Sequence, residues 1–270
     1  MLENYLLRWS LVPDGDPVTT PAARLLPVLY GDQPAVLKLS HEEDERRGGT
    51  VMEWWDGEGS ARVFARDDTA LLLERATGSA SLANMARDGR DDNACRILCA
   101  AAAQLHAPWS KPFPELIPLA HWFRELEPAA AKYGGILVRC AETARVLLAE
   151  PGECVVLHGD IHHDNVLDFG ARGWLAIDPK GLLGERGFDF ANIFTNPDLA
   201  DPTRPVATEP GCFARRLEIV TEAAKLERQR LLRWILAWTG LSAAWFLGDD
   251  DPLATIDLRI AELAATELDR

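Results

Sequence analysis

One short stretch of the chain concentrates the polar residues that could do chemistry. Residues 155–167 read VVLHGDIHHDNVL, so Asp160 and Asn165 lie five positions apart between two apolar runs. A second acid, Asp178, follows the next apolar run, at residues 174–177. Carboxylate and amide oxygens are ligands that suit Mg²⁺, and a carboxylate away from the metal can accept a proton from an alcohol. These residue types predict Mg²⁺-dependent phosphoryl transfer, in which the protein positions groups and neutralises charge.

A β-hairpin would bring these side chains together. The apolar runs at 166–169 and 174–177 flank the turn Gly170-Ala-Arg-Gly173, which is typical of two paired strands. Asn165 enters the first strand, Asp178 leaves the second, and Asp160 lies in the preceding loop. We therefore predict that all three face one pocket.

The literal Asp168-Phe169-Gly170 is a misleading match. It spells the metal-binding D-F-G of protein kinases, but it lies only three residues past Asn165 and close to the hairpin turn. From that position Asp168 cannot easily reach the same cation. We assign the metal role to Asp178.

The histidines of the same stretch, His158, His162 and His163, raise a zinc site as the alternative. Zinc-binding histidine pairs are commonly spaced along a helix, whereas this segment is predicted as strand–loop–strand and Gly159 disfavours a helix. No cysteine or fourth ligand stands at a recognisable spacing. The sequence favours the Mg²⁺ interpretation.

The rest of the chain predicts two lobes of different character. Up to residue 76, turn residues separate short apolar runs that are typical of an antiparallel sheet, with one helix starting in the acidic stretch 42–45. After Gly78, apolar residues at helical spacing predict helices at 92–106 and 142–150 and two more between 213 and 246. We predict an α+β fold with an N-lobe at 1–76 and a larger, mostly helical C-lobe at 77–270.

Composition limits the partners. The 28 basic and 42 acidic residues give a net charge of −14, which argues against nucleic acid and suits a cationic ligand. The first residues show no signal-peptide pattern, and the apolar stretch 235–247 is shorter than a membrane span. Five cysteines form no common disulfide pattern. We expect a cytoplasmic protein with reduced thiols and no membrane partner.

The motifs resemble those of a known family. His158-Gly-Asp160, Asn165 and Ile177-Asp178 together resemble the signature of aminoglycoside phosphotransferases, which are relatives of protein kinases. Longer segments resemble the streptomycin 6-phosphotransferase family, also called the aminoglycoside/hydroxyurea antibiotic resistance kinases. These segments cover nearly the whole chain and include residues 54–57, 96–99, 105–108, 157–198 and 233–245.

The resemblance implies a bilobal protein-kinase-like fold and a role for each residue around the reacting groups. Asp160 would be the catalytic base or would orient the acceptor hydroxyl. Asn165 and Asp178 would hold Mg²⁺. Asp189 would have a structural role, accepting backbone N–H bonds from the loop that carries Asp160, residues 158–165, which we call the catalytic loop.

The resemblance also implies the nucleotide contacts. Lys38 would meet the α- and β-phosphates of ATP and would pair with Glu45, although Glu42 and Glu43 remain open as partners. The hinge at 73–76 would offer backbone groups of Glu74 and Ala76 to adenine. The turn at 19–23 lacks the glycines of a phosphate-binding loop, which puts nucleotide contacts from this turn in doubt.

The activity implied is ATP- and Mg²⁺-dependent phosphorylation of an aminoglycoside, with streptomycin and its 6-hydroxyl as the expected acceptor. Separately, we expect a monomer. Two alternatives remain open. One is a kinase for hydroxyurea or another small hydroxylated metabolite, and the other is a catalytically silent nucleotide-binding module. Acids that would attract a cationic substrate are Asp164, Glu185 and those near Asp198 or at 249–251.

Overall fold

The N-lobe is built on an antiparallel sheet that carries one long helix. The structure, a computed structural model, describes residues 2–20 and 22–270. The strands are arranged in the order β1-β3-β4-β6-β5, and β2 pairs with β3. The elements are α1 (Leu2–Arg8), β1 (Leu11–Pro13), β2 (Val18–Thr19), β3 (Arg24–Tyr30), β4 (Gln33–Leu39), α2 (Glu43–Trp55), β5 (Val63–Arg66) and β6 (Ala70–Glu74).

The C-lobe is mostly helical. A two-stranded hairpin, β9 and β10, and a three-stranded sheet, β7-β11-β8, interrupt the helices. The elements are α3 (Leu82–Met85), α4 (Asp91–Leu105), β7 (Ile117–Pro118), α5 (Leu119–Trp122), α6 (Leu126–Tyr133), α7 (Ile136–Ala149), β8 (Cys154–Leu157), β9 (Val166–Asp168), β10 (Trp174–Ala176), β11 (Leu182–Glu185), α8 (Cys212–Ala224), α9 (Arg228–Gly248) and α10 (Ala254–Leu268). A 3₁₀ helix at Arg186–Phe194 follows β11.

The predicted architecture is confirmed, with differences in detail. The sheet-rich first part and the helical second part form as expected. Strands β7 and β11 were not predicted, because the sequence indicated strands in the C-lobe only within residues 155–177. Both are very short and pair through residues distant in sequence, so local pattern gives them little signal. The boundary at residues 76 and 77 stays a prediction.

Helix α9 lies at the centre of the larger core. Thirteen of its residues are buried, including Trp234 and Trp238. Within the described part of the chain it is the one helix long and apolar enough to cross a bilayer, yet 72% of its most apolar window is buried inside the fold. The apolar stretch at 235–247 is therefore a core helix, as predicted.

Backbone contacts join the two lobes behind the cleft. The loop after α2 pairs with the hairpin, because Ala61 N–H donates to Ala176 O and Ala176 N–H donates to Gly59 O, both at 3.0 Å. On α2 itself, a Cβ added at Gly48 would lie 2.3 Å from the carbonyl oxygen of Pro179. Only glycine allows this approach, which holds α2 against the segment that carries Asp178.

Candidate active site

The hairpin places Asn165 and Asp178 at one end, as predicted. In its register Val166 faces Ala176 and Asp168 faces Trp174, so the two polar residues flank the open end of the ladder. One further backbone bond extends the pairing, from Ile177 N–H to Asn165 O at 2.9 Å. Asp178 has a left-handed backbone conformation with φ of 59°, which is uncommon for a residue other than glycine. Such outliers are concentrated at functional sites.

Asp160 is held by several donors. The side-chain amide of Asn165 donates to Oδ2 at 3.1 Å and to the backbone oxygen of Asp160 at 2.9 Å. Asn192 donates to Oδ1 at 2.6 Å. The ammonium of Lys180 lies 3.3 Å from Oδ2. The carboxylate is thus fixed in one orientation at the lobe interface.

The surroundings of Asp160 favour its charged form. Burial raises the pKa of this carboxyl group, but electrostatic interactions with His162 and Lys180 and the hydrogen bond from Lys180 lower it by a larger amount. The net pKa lies below the ordinary range of an aspartate. An ionised carboxylate can accept a hydrogen bond from an alcohol and orient it for attack.

The residues predicted to hold Mg²⁺ fit that role. Because Asn165 uses its side-chain nitrogen on Asp160, its side-chain oxygen remains as a ligand. Asp178 accepts a hydrogen bond from Lys38 through Oδ1, and its side chain is 34% exposed. Within residues 2–20 and 22–270, no group of three or more His, Cys, Asp or Glu side chains could hold a metal. Two protein oxygens suit Mg²⁺, which usually completes its shell with phosphates and water.

Lys38 is buried and joins both lobes. Its ammonium lies 2.5 Å from Glu45 on α2 and 2.8 Å from Asp178 in the C-lobe. Of the three acids left open by the sequence, Glu45 is the partner, whereas Glu43 pairs with Arg47 on the exposed face of the same helix. The lysine is therefore fixed beside the proposed metal ligand.

Asp189 supports the catalytic loop, as predicted. It accepts the backbone N–H of His158 at 2.9 Å and of Gly159 at 2.7 Å, and it contacts His106 Nε2 at 2.7 Å. The ring of His158 accepts from Asp160 N–H at Nδ1 and donates from Nε2 to Ile177 O at 2.7 Å. Burial lowers the pKa of His158, which fits this neutral tautomer.

These contacts leave no basis for the zinc alternative. His158 uses both ring nitrogens on the protein backbone. His163 is buried with both nitrogens unpartnered, and burial lowers its pKa well below the ordinary value. His162 Nε2 lies 3.7 Å from the Asp160 carboxylate. The three rings have separate surroundings, in which His163 is part of the packing beneath the loop.

The hinge residues lie at the end of β6. The N–H groups of Glu74 and Arg75 donate to the carbonyls of Arg62 and Pro34. The Glu74 side chain pairs with Arg172. In the described part of the chain the N–H of Ala76 has no backbone acceptor. This leaves Ala76 as the available hinge donor.

Asp168 has a role outside the metal site, in agreement with the prediction. Its carboxylate accepts the N–H of Gly170 at 2.9 Å and of Ala80 at 3.3 Å, and its backbone oxygen accepts Gly78 N–H. A Cβ at Gly78 would lie about 2 Å from this carboxylate. Asp168 ties the segment after the hinge to the hairpin.

Two residues of the site were missed from the sequence. Lys180 follows Asp178 by two positions, and Asn192 lies on the 3₁₀ helix after β11. Lysine is rare in this chain, with five among the 28 basic residues, so a lysine beside the motif was a usable signal. Asn192 had no such signal, because only the fold brings it within 2.6 Å of Asp160.

Two acids considered for substrate attraction are structural instead. Glu185 accepts hydrogen bonds from Arg230, Trp234 and the backbone of Gly152. Asp198 is fully buried and accepts three consecutive backbone N–H groups at 206–208. Neither faces the cleft. Asp164 and the acids at 249–251 remain exposed or half-exposed.

The turn at 19–23 is described except for Pro21, which lies outside the described residues. The Thr20 hydroxyl donates to Ala23 O and accepts Ala23 N–H at 3.0 Å. This side chain closes its own turn. The described part thus agrees with the absence of a glycine-rich phosphate loop.

The fold is similar to that of kinase-like phosphotransferases of known structure. One similar structure is that of a thermostable variant of an aminoglycoside phosphotransferase, solved as a ternary complex with ADP and hygromycin B. The match covers 97% of this chain and 97% of that protein, with a TM-score of 0.69. The identity is 12%, so this likeness concerns the fold alone.

Sequence comparisons give the family. The profile of the aminoglycoside/hydroxyurea antibiotic resistance kinases matches residues 8–250, and the chain belongs to this family of phosphotransferases. It is 56% identical to a streptomycin 3''-kinase of Klebsiella pneumoniae, over 97% of this chain and 99% of that protein. It is 31% identical to a streptomycin 6-kinase of Streptomyces griseus, over 96% of this chain and 86% of that protein.

Proposed function

We propose that this protein phosphorylates streptomycin on a hydroxyl group, with ATP as donor and Mg²⁺ as cofactor, and so confers resistance to the antibiotic. The observation that carries the proposal is the position of Asp160, which is fixed between the Asn165 amide and the Lys180 ammonium beside the Lys38–Glu45–Asp178 contacts. Family membership supplies the substrate class.

The acceptor hydroxyl is the part of the sequence-based prediction that changes. The 6-hydroxyl was expected from the resemblance, and the relatives named as 6-kinases are 30–31% identical to this chain. The relative named as a 3''-kinase is 56% identical over nearly the whole of both chains. We therefore propose the 3''-hydroxyl as the acceptor, with the 6-hydroxyl as the competing position.

The nucleotide would lie between the lobes. Ala76 N–H and the carbonyl of Glu74 would meet adenine, since the hinge N–H groups before Ala76 are already engaged. Lys38 would contact the α- and β-phosphates while Glu45 keeps it in place. Asn165 and Asp178 would hold Mg²⁺, which neutralises phosphate charge when bound.

Asp160 would orient the acceptor. Its carboxylate accepts a hydrogen bond from the hydroxyl, whose oxygen attacks the γ-phosphorus in line with the leaving oxygen. The bond between the γ-phosphorus and the bridging oxygen breaks, ADP leaves, and the hydroxyl proton passes to Asp160. Asn192 and Asn165 keep the carboxylate oriented throughout.

The test is product analysis with the purified protein. ADP release is measured with ATP and Mg²⁺ in the presence of streptomycin and, separately, of hydroxyurea, and the streptomycin product is located by mass and phosphorus–proton NMR. Phosphate on the 3''-oxygen supports the whole proposal, and phosphate on the 6-oxygen overturns only the acceptor position. Release with hydroxyurea alone favours the second substrate in the family's name, and nucleotide binding without release with either acceptor overturns the enzyme proposal.

A further inference from the structure

Lys180 is a cation in the cleft beyond those that the sequence assigned. Its ammonium lies 3.3 Å from Asp160 Oδ2, and its side chain is 30% exposed. The carboxylates of Glu45 and Asp178 also stabilise its positive charge. The site therefore contains two lysines. Lys38 contacts Asp178, the proposed metal ligand, and Lys180 contacts Asp160, the proposed base.

The backbone around Lys180 is built into the site. Its N–H donates to His158 O at 2.7 Å, which connects it to the catalytic loop. A Cβ at the next residue, Gly181, would lie 3.2 Å from the Arg47 side chain on α2. Lys180 is thus held between the loop that carries Asp160 and the helix that carries Glu45.

The ammonium has hydrogen-bonding capacity to spare. It carries three N–H donors, and Asp160 is the one acceptor it meets in the described part of the chain. Asp160 Oδ2 also accepts a hydrogen bond from the side-chain amide of Asn165, so a second donor already orients this oxygen. A counter-ion that only held Asp160 would leave the remaining two donors to solvent.

The reacting phosphoryl group would come within reach of those donors. An acceptor hydroxyl that is hydrogen-bonded to Asp160 would have its oxygen about 3 Å from the carboxylate. In a geometry ready for attack, the same oxygen would lie about 3 Å from the γ-phosphorus. An equatorial oxygen of that group would then be within reach of the ammonium that contacts the same carboxylate. Positive charge at this point stabilises the transition state, in which the equatorial oxygens carry the negative charge.

We propose that Lys180 is a catalytic residue that donates to Asp160 and, at the same time, to an oxygen of the phosphoryl group in transfer. The proposal rests on the phosphotransferase function described above. No bond to Lys180 forms or breaks, and the proton of the acceptor still passes to Asp160. The expected signature is a loss in kcat with nucleotide binding retained.

The primary experiment compares Lys180→Met and Lys180→Arg with the matched control Lys132→Met, which removes an exposed lysine of the C-lobe. We expect Lys180→Met to lower kcat roughly 10²–10³-fold, the usual effect of removing one transition-state donor. Lys180→Arg should recover at least tenfold of that loss, and Lys132→Met should match the wild type. ADP affinity, measured by calorimetry, should stay within about threefold for all variants.

A double variant separates a contact with phosphate from an effect on Asp160 alone. If Lys180 acts on the phosphoryl group, Lys180→Met should lower kcat at least tenfold further in an Asp160→Asn background. No further loss there, or a kcat for Lys180→Met within about threefold of wild type, overturns the proposal. Wild-type turnover is measured first, because its absence would overturn the function itself, whereas unchanged turnover in Lys180→Met would overturn only this role.

Discussion

Two groups of charged side chains in this protein illustrate opposite uses of charge. The cleft cluster consists of Lys38, Glu45, Asp160, Asp178 and Lys180, where ion pairs join the two lobes. The buried pair consists of Asp91 on α4 and Arg216 on α8. Both contain close contacts between opposite charges, but they differ in how many of their hydrogen-bond donors and acceptors are used by protein groups.

The buried pair uses its hydrogen-bonding capacity within the protein. Arg216 is 0% exposed and binds both oxygens of Asp91, at 2.9 and 2.7 Å. Its remaining nitrogen donates to the carbonyls of Ile193 and Asn196. Such a pair is costly to break, because removal of one partner leaves an uncompensated charge in the interior.

The cleft cluster keeps capacity in reserve. Asn165 has a free side-chain oxygen, Lys180 has donors to spare, and Asp178 is partly exposed. Charged groups whose hydrogen bonds are all made within the protein stabilise the fold, whereas charged groups with unused donors or acceptors can bind a ligand. The four predictions below test this distinction, from the largest expected effect to the smallest.

Asp160→Ala should separate activity from stability. We expect turnover to fall roughly 10²–10⁴-fold, the usual scale of general acid–base assistance, because the acceptor loses its orienting carboxylate. The melting temperature should fall by only a few degrees, because the Asp160 side chain is 22% exposed and the one buried donor left unpaired is the Asn192 amide, a loss of about 1–3 kcal/mol at most. Coupled ADP release and thermal melting measure the two effects. Asp88→Ala, at an exposed acid of the C-lobe, is the control. Full turnover in Asp160→Ala would remove Asp160 from the chemistry.

Arg216→Met should show the reverse pattern. Loss of the guanidinium leaves Asp91 and two carbonyls unpaired, which we expect to cost about 3–5 kcal/mol of unfolding free energy. That corresponds to a melting temperature lower by roughly 10 °C. The neighbouring Arg215→Met is a close control, because Arg215 makes a similar pair with Asp92 at the exposed surface. Equal stability of the two variants would contradict the assignment of Arg216 to the fold.

Glu45→Gln should weaken nucleotide use without loss of the fold. The neutral amide no longer balances the charge of Lys38, which can then pair more closely with Asp178 and withdraw from the phosphates. We expect kcat/KM for ATP to fall roughly tenfold, in line with a charge-assisted hydrogen bond of about 1.5 kcal/mol. Glu43→Gln, on the exposed face of α2, serves as the control. Equal effects of the two variants would show that Glu45 is not the functional partner of Lys38.

Asp257→Asn tests a third use of charge, in which a carboxyl group is buried without an ionic partner. Burial raises the pKa of Asp257 to about 8, and the Ser242 hydroxyl offsets this only in part. Between its ordinary pKa and about 8 the folded protein holds a proton that the unfolded chain releases. Stability should therefore fall as pH rises through this range, by up to about 1.4 kcal/mol per pH unit.

The asparagine variant does not titrate and should lack this dependence. Its melting temperature relative to wild type should rise from pH 5 to pH 8, as followed by thermal melting at each pH. Glu262→Gln, an exposed acid of the same helix, should retain the wild-type pH dependence. Parallel curves for wild type and Asp257→Asn would show that Asp257 does not remain protonated in the fold.

Much of the site could be predicted because its residues are close in sequence. The hairpin at 166–176 has strong local signals, with two apolar runs and a glycine-bounded turn, and these determine where Asn165 and Asp178 lie. Helix α2 was also predicted, but its start was not fixed by the pattern, and three acids stayed open as the partner of Lys38. The choice of Glu45 needed the packing of α2 on the sheet and on Pro179.

The contact for which the sequence carried no signal joins distant segments. Asn192 reaches Asp160 because the 3₁₀ helix at 186–194 passes beneath the catalytic loop, where Asp189 binds the loop backbone. Glu185 and Asp198 were considered as substrate-facing acids because composition cannot distinguish an acid in the cleft from one that binds backbone N–H groups.

By itself the sequence determined the alternation of strands and helices and the hairpin that places Asn165 and Asp178, because these depend on local periodicity and turn chemistry. The phosphate contact predicted for Lys38 came from the family resemblance. The tertiary structure decided which charged side chains face the cleft and which are paired with other protein groups inside the fold. Hydrogen-bond partners distant in the chain become neighbours only when the lobes pack together, and no local pattern encodes that distance.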